Sequence, residues 1–472
     1  MSGAAGADKR PSHGDSRRNR ALIRKTSTFR RFRELVRGAL LSSLFWGGVL
    51  SLLIQFQYQI VRLLSGIVLA RVMGPIDLGI YSFTMALITL VQIVPLYGVD
   101  SVVIRFSAIY RSQESWELLR GLWRTGYVAS MGYGILVAGA ALGLTELGWL
   151  KPSAAFSPAV LAIAAISMLF RPILTYFGAV LRVTTPGVKG QLPQFAVLPW
   201  MFLVLVLVVV LAFRLPMNAE LAVGLQGLAV VATVVVAVIV FMAYRPRPLR
   251  TVRPRRELAR WLRSASSFWV LGGLDVIFSQ ADILMLGTLA TARETGIYRI
   301  ATNGANLLLL SGMAANLYLG PRIPEMYARG EFARIQRLLS LWARGAFAIS
   351  LIVACVIWLW GSVLIRFFFG AAYGEAYWPL AILCFGQLAY VGSGPVDLLL
   401  SMTGNERLAA AIAGGAAICN VALNAALIPS LGATGSAIAT TIALLIWRGL
   451  LSMGVKRATG LHISIFAGAR QT

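Results

Sequence analysis

Apolar stretches dominate this chain from about residue 39 to residue 453, and most are long enough to cross a bilayer as a helix, which takes about 20 residues. Of the 472 residues 58% are apolar and only 13% charged, far from the balance of a soluble domain of this length. Leu, Ala, Val and Gly fill the stretches without strand-length alternation, so the pattern predicts helices rather than a barrel. Twelve spans are expected: 39–70, 76–100, 120–145, 158–180, 193–213, 220–243, 264–289, 296–320, 340–365, 376–401, 408–428 and 433–453. The longest pieces outside them, 1–38 and 244–263, are too short for a water-exposed catalytic domain, so the chain is not expected to be an enzyme.

The formal net charge is +25, and its placement carries the information. Residues 1–38 hold eleven Lys/Arg against three acids, and 244–263 hold eight Arg against Glu257. Such runs resemble nucleic-acid contacts, but beside membrane spans they fix orientation and touch anionic lipid, so no nucleic-acid partner is expected. With the N-terminus inside, the inner loops hold Arg111, Arg182, Lys189, the Arg-rich linker, Arg329, Arg334, Arg337, Lys456 and Arg457. The outer loops hold only Arg71, Lys151, Arg214, Arg293 and Arg366, as the positive-inside rule requires. Both termini are therefore expected in the cytoplasm and the chain in the cytoplasmic membrane. The start does not read as a cleaved signal peptide, and residues 1–20 read as disordered. Cys355, Cys384 and Cys419 all fall in apolar runs without metal-ligand spacing and read as packing residues.

Gly79-Ile80-Tyr81 returns 217 residues later as Gly296-Ile297-Tyr298, and the same offset pairs Arg105 with Arg322, Tyr110 with Tyr327 and Arg120 with Arg337. The offset matches a division of six spans from six at the linker, where Arg245-Pro246-Arg247-Pro248 breaks a helix. The domain reading is a basic N-terminus with an interfacial helix (1–38), a six-helix lobe (39–243), an Arg-rich cytoplasmic linker (244–263), a second six-helix lobe (264–453) and a cytoplasmic tail (454–472). Repeats with an even number of spans share one topology, so the pseudo-two-fold axis should run along the membrane normal with a site between the lobes.

Several motifs carry a family resemblance. Leu69-Ala70-Arg71-Val72-Met73-Gly74-Pro75 followed by Leu78-Gly79-Ile80-Tyr81 resembles the end of the first span of polysaccharide-transport membrane proteins. Asp282 to Gly287, then Gly296-Ile297-Tyr298, resembles its counterpart in the second half, and Gly404-Asn405-Glu406-Arg407, Asn420, Asn424, Pro429, Gly432, Gly435 and Ala437 to Thr440 fit the C-terminal pattern. The chain thus resembles the O-antigen and exopolysaccharide flippases of the MOP exporter superfamily, which also holds multidrug and toxin extrusion (MATE) transporters and lipid II flippases. The resemblance implies an all-α polytopic membrane protein of about 12 transmembrane helices in two pseudo-symmetric six-helix lobes, MATE-like in fold. It also implies a polyprenyl-pyrophosphate-linked oligosaccharide as substrate, membrane lipid as surroundings, and polysaccharide polymerase or assembly proteins as partners.

Intramembrane polar residues are the candidates for the path, because charge there tends to face a cavity or a partner. Tyr58, Arg62 and Ser65 share one helical face at i, i+4 and i+7, and their repeat equivalents are Asp275, Ser279 and Asp282. With both faces on a central cavity, Arg62 could meet a pyrophosphate, and Asp275 or Asp282 could hold a proton or Na⁺. A structural ion pair competes with that reading, and for Asp282, nearer the outer surface, it is the stronger one. Arg171, just before Pro172, is a second cation candidate with snorkelling as its alternative. Arg299, Asn303 and Asn306 share a face and could contact diphosphate or sugar, although asparagines, like Asn420 and Asn424, also join helices.

The substrate-binding set is therefore Arg62, Arg171, Arg299 and Asn303, with Asp275 and Asp282 for ion coupling. No nucleotide, metal or dinucleotide motif appears, so no cofactor is expected beyond a coupling H⁺ or Na⁺. A multidrug exporter of the same superfamily is the first alternative and predicts an acidic cavity. A membrane glycan polymerase is the second, and it would need a large outer loop that this chain lacks.

Overall fold

The structure is a computed structural model that describes residues 13–93, 98–147, 158–310, 312, 319, 322–461 and 463. Side chains are described within these from Trp46 onward, except at 250, 266–272, 275 and 322. Two compact units are present: residues 1–51, helical from position 13 on, and residues 52–472, which carry the interhelical packing.

The regular elements among the described residues are all helices. α1 (His13–Val91), α2 (Asp100–Ser112), α3 (Trp116–Glu146), α4 (Pro158–Thr184), α5 (Leu198–Leu207, with a π turn at each end) and α6 (Ala219–Tyr244) make up the first half. α7 (Leu258–Leu289), α8 (Ala292–Ala305), α9 (Arg322–Ala328), α10 (Phe332–Phe368), α11 (Tyr377–Gly392), α12 (Val396–Met402) and α13 (Glu406–Thr459) make up the second. Positions 13–20, expected to be disordered, lie within α1, and 1–12 fall outside the described residues.

Local chemistry sets the helix ends. The Asn218 side chain accepts from Leu221 N at 2.9 Å and starts α6, and Arg245, extended before Pro246, ends it. α1 is two helices meeting at Gly74 (φ 74°) before Pro75, and α13 is two helices meeting at Gly432 (φ 53°). Both breaks need positive φ, which glycine adopts without steric cost.

Both breaks fall between expected spans. Expected spans 1 and 2 run together in α1, and expected spans 11 and 12 in α13. Among the described residues seven helices are long and apolar enough to cross a membrane, or eight with α11 and α12 as one span bent by 40°. Among the described residues of α7, Val276–Leu289 is a shorter apolar stretch. The chain is a multi-pass membrane protein.

Within the first half α4 packs on α3, α6 and α2; within the second, α11 and α7 pack on α13 and α10 on α11. α2 and α7 join the halves. The linker docks on the first half: Arg255 N donates to Glu117 O at 3.0 Å, Tyr110 OH donates to Glu257 Oε2 at 3.0 Å, and Trp261 Nε1 donates to Tyr110 OH at 3.0 Å. Lipid tails give apolar faces little reason to seek each other, so close packing and hydrogen bonds hold such helices together. The fully buried Ala164, Ala222 and Ala229 let α4 and α6 approach closely.

Candidate functional site

A cavity of about 330 Å³ lies where helices of both halves meet. α1 presents Tyr58, Arg62 and Ser65 to it, the three residues of one helical face. α4 adds Arg171, α6 Gln226, α7 Gln280, and α8 adds Arg299 and Asn303 one turn apart. Residues 62, 171, 299 and 303, far apart in the chain, therefore line one space.

Three guanidinium groups dominate that space. Arg62 is exposed to the cavity; its Nη1 donates to Gln59 Oε1 at 3.5 Å and its guanidinium carbon stands 5.5 Å from the centre of the Tyr58 ring. Arg171 and Arg299 are half-buried, and neither has a carboxylate partner among the described residues. No Asp or Glu is among the described lining residues. Like charges converging in a medium of low dielectric are costly, and an anion placed among them removes that cost. An arginine also offers a planar fork of donors suited to phosphate oxygens.

One end of the cavity is closed by direct contact between the halves. A Cβ on Gly79 would lie 1.8 Å from Ala292 O, and one on Gly296 would lie 2.0 Å from Pro75 O. Leu78 and Tyr81, flanking this contact, line the cavity. The charge pattern of the sequence leads one to expect this end on the outer side. Beyond it Arg293 Nη2 donates to Glu375 Oε1 at 2.9 Å, and this hydrogen bonding holds the Glu375 carboxyl below its usual range.

Asp282 lies elsewhere. The repeat offset put it on the cavity face of α7, but the lining residue there is Gln280, about 200° away around the helix. Asp282 is 6% exposed and sits in a polar cluster of α7, α8 and α13. Tyr298 OH and Thr440 Oγ1 donate to its Oδ2 at 2.7 and 2.6 Å, and Asn424 Nδ2 donates to its Oδ1 at 2.9 Å. Ser436 Oγ donates to Asn424 Oδ1 at 2.8 Å, and Asn424 Nδ2 also donates to Asn420 O at 2.9 Å. No cationic side chain pairs with Asp282 among the described residues. A buried carboxylate without a counter-charge is costly as an anion, and a proton or a bound cation removes the cost. Asp275 lies on α7, and its side chain is outside the described residues.

Sequence reasoning did not single out Tyr81, Gln226 or Gln280 as lining residues. Tyr81 stacks on Phe202 with ring centres 6.2 Å apart. Gln226 had a usable signal, as the one amide in the otherwise apolar α6. Asn306, predicted on the face of Arg299, is exposed and is not among the lining residues.

The sequence model of a family described as polysaccharide biosynthesis protein matches residues 45–326, well over half of the chain. No curated protein matches the sequence. Among solved structures, the lipid II flippase MurJ in an inward closed conformation is similar at 14% identity and TM-score 0.67, over 86% of this chain and 87% of that one. An inward-facing multidrug resistance MATE family transporter of the MOP superfamily is similar at 14% identity and TM-score 0.69, over 87% and 99%. A MATE transporter of Vibrio cholerae, solved as a mutant, gives 14% identity and TM-score 0.58, over 89% and 98%. The chain belongs to the polysaccharide biosynthesis protein family and has the fold of MOP-superfamily transporters.

Proposed function

We propose that this chain is a flippase that moves a polyprenyl-pyrophosphate-linked oligosaccharide from the inner to the outer leaflet of the cytoplasmic membrane, for polysaccharide biosynthesis. One observation carries the reading: Arg62, Arg171 and Arg299 converge on a cavity whose described lining has no carboxylate. That cavity suits a diphosphate, whereas the competing multidrug exporter calls for acidic residues to hold organic cations. The diphosphate-sugar head enters among the arginines, Asn303, Gln226 and Gln280 offer hydrogen bonds to sugar hydroxyls, and the polyprenyl tail stays in lipid. Two lobes rock about the cavity, opening it to each leaflet in turn. A proton or Na⁺ at Asp282, or at Asp275, couples the rocking to an ion gradient, and a polysaccharide polymerase or assembly protein takes up the product outside.

The test is deletion of the gene followed by localisation of lipid-linked oligosaccharide. Accumulation in the inner leaflet, reversed by the intact chain, is expected. Accumulation of unpolymerised units in the outer leaflet would assign the chain a later, polymerising step instead. Drug sensitivity without any lipid-linked intermediate would point to the exporter.

A further inference from the structure

The first half holds a second cavity, of about 320 Å³, that shares no lining residue with the first. Its wall is aromatic. The ring centres of Trp123 and Phe241 are 5.7 Å apart, those of Phe177 and Phe241 5.5 Å, and those of Tyr176 and Phe177 5.2 Å. The polar atoms of Trp123 and Tyr176 are already engaged: Trp123 Nε1 donates to Ser107 Oγ and Tyr176 OH donates to Trp123 O, both at 2.8 Å. Trp123, Phe177 and Phe241 therefore leave apolar faces to the cavity. Arg120, Arg124 and Arg245 bring positive charge to the lining; Arg120 donates to Val252 O, and neither Arg124 nor Arg245 has a carboxylate partner among the described residues. Arg245 gives one hydrogen bond to Leu249 O at 3.2 Å and keeps its other donors.

The second half offers a contrast. A cavity of about 240 Å³ lies among α10, α11 and α13. There the arginine has an internal counter-charge. Arg448, 3% exposed, pairs with Asp397 at 3.2 Å and lies over the Tyr390 ring. The first-half cavity has no carboxylate among its described lining residues, which leaves Arg124 and Arg245 open to an anion from outside the chain. A ligand that fits brings an anionic oxygen group for two guanidinium forks and hydrocarbon for an aromatic wall. Arg245 opens the Arg-rich linker, which sets this cavity at the basic end of the half, at headgroup depth.

We propose that this cavity binds an anionic phospholipid, with the headgroup phosphate on Arg124 and Arg245 and the first methylenes of an acyl chain against Trp123, Phe177 and Phe241. The test is native mass spectrometry of the purified full chain titrated with phosphatidylglycerol or phosphatidylcholine, for the wild type and for R124Q/R245Q. The wild type should bind one phosphatidylglycerol selectively, and the double variant should bind it about 30-fold more weakly, with no change for phosphatidylcholine. An equal melting temperature in phosphatidylcholine establishes that the variant is folded. If the double variant does not fold, R124Q alone, at an exposed position, should lose about fivefold. Unchanged phosphatidylglycerol binding in a folded variant overturns the proposal. So does displacement of the lipid by polyprenyl diphosphate with loss of that ligand in R124Q/R245Q, which would make the cavity a station for a transported lipid.

Discussion

Gly79 and Gly296 stand against each other at one end of the central cavity, close enough that a Cβ on either would lie 3.1 Å from the backbone nitrogen of the other. They are also the same residue of the repeated Gly-Ile-Tyr motif, 217 positions apart. A pseudo-two-fold axis between halves brings equivalent residues together, and only glycine leaves room for backbone against backbone. The rest of the motif has diverged: Tyr81 lines the cavity, while Tyr298 donates to Asp282.

Gly79→Ala and Gly296→Ala should each force this end apart. The added methyl would collide with a carbonyl oxygen, and overpacking of this kind costs about 1–3 kcal/mol. In a chain freed of its native cysteines and carrying Ser82→Cys, labelling by an impermeant maleimide from the outer side should rise in both variants. Ser82 is 1% exposed and lines the cavity, so unchanged labelling would show that this contact does not seal it.

Replacing Arg171 or Arg299 by Met should separate stability from transport. A half-buried cation without a counter-charge burdens the fold, so its removal should leave the melting temperature unchanged or raise it. Transfer of lipid-linked oligosaccharide in a reconstituted assay should fall at least about tenfold, if each guanidinium contributes about 1.5 kcal/mol or more to holding the diphosphate. A lower melting temperature with normal transfer would make these arginines structural.

Asp282→Asn should be costly in two distinguishable ways. Three donors point at the carboxylate, and an amide Nδ2 in the Oδ2 place makes the Tyr298 and Thr440 hydroxyls turn from donating to accepting, so charge-assisted bonds become neutral ones at about 1 kcal/mol. A lower melting temperature follows from that alone. Ion coupling adds a second signature: the wild type should be stabilised by Na⁺ or by lower pH, and the variant should not respond to either. A variant that is destabilised yet keeps the wild-type ion response would leave Asp282 as a structural acceptor.

The arginines were legible in the sequence because charge is conspicuous in an apolar helix, and Tyr58, Arg62 and Ser65 were legible as one face from helical spacing. Asp282 was legible as buried and polar, but not as turned away from the cavity. The repeat offset transfers a position along the chain, and it assumes that the two helices have kept the same rotation about their axes. Gln280 in the lining shows that α7 has not.

Glu294 makes the same point. Thr291-x-x-Glu294 reads as a capping box, in which the glutamate would return to its own helix start. Thr291 does accept from Glu294 N at 3.2 Å, but the Glu294 carboxylate reaches across to Ala433 N at 2.8 Å and satisfies the donor freed where α13 breaks at Gly432. Nothing within either segment specifies that pairing.

The sequence alone determined that the chain is a helical membrane protein with basic segments between and beside its apolar stretches, a duplicated motif and a few charges inside apolar helices. Those features follow from bilayer thickness, from the cost of buried charge and from helical periodicity, which act on each segment separately. Tertiary structure alone decided that three distant arginines share one cavity, that the repeated glycines meet, and that Asp282 belongs to a separate cluster. The rotation of a helix about its axis is fixed by the side chains of its neighbours, and a pattern within one segment carries no record of them.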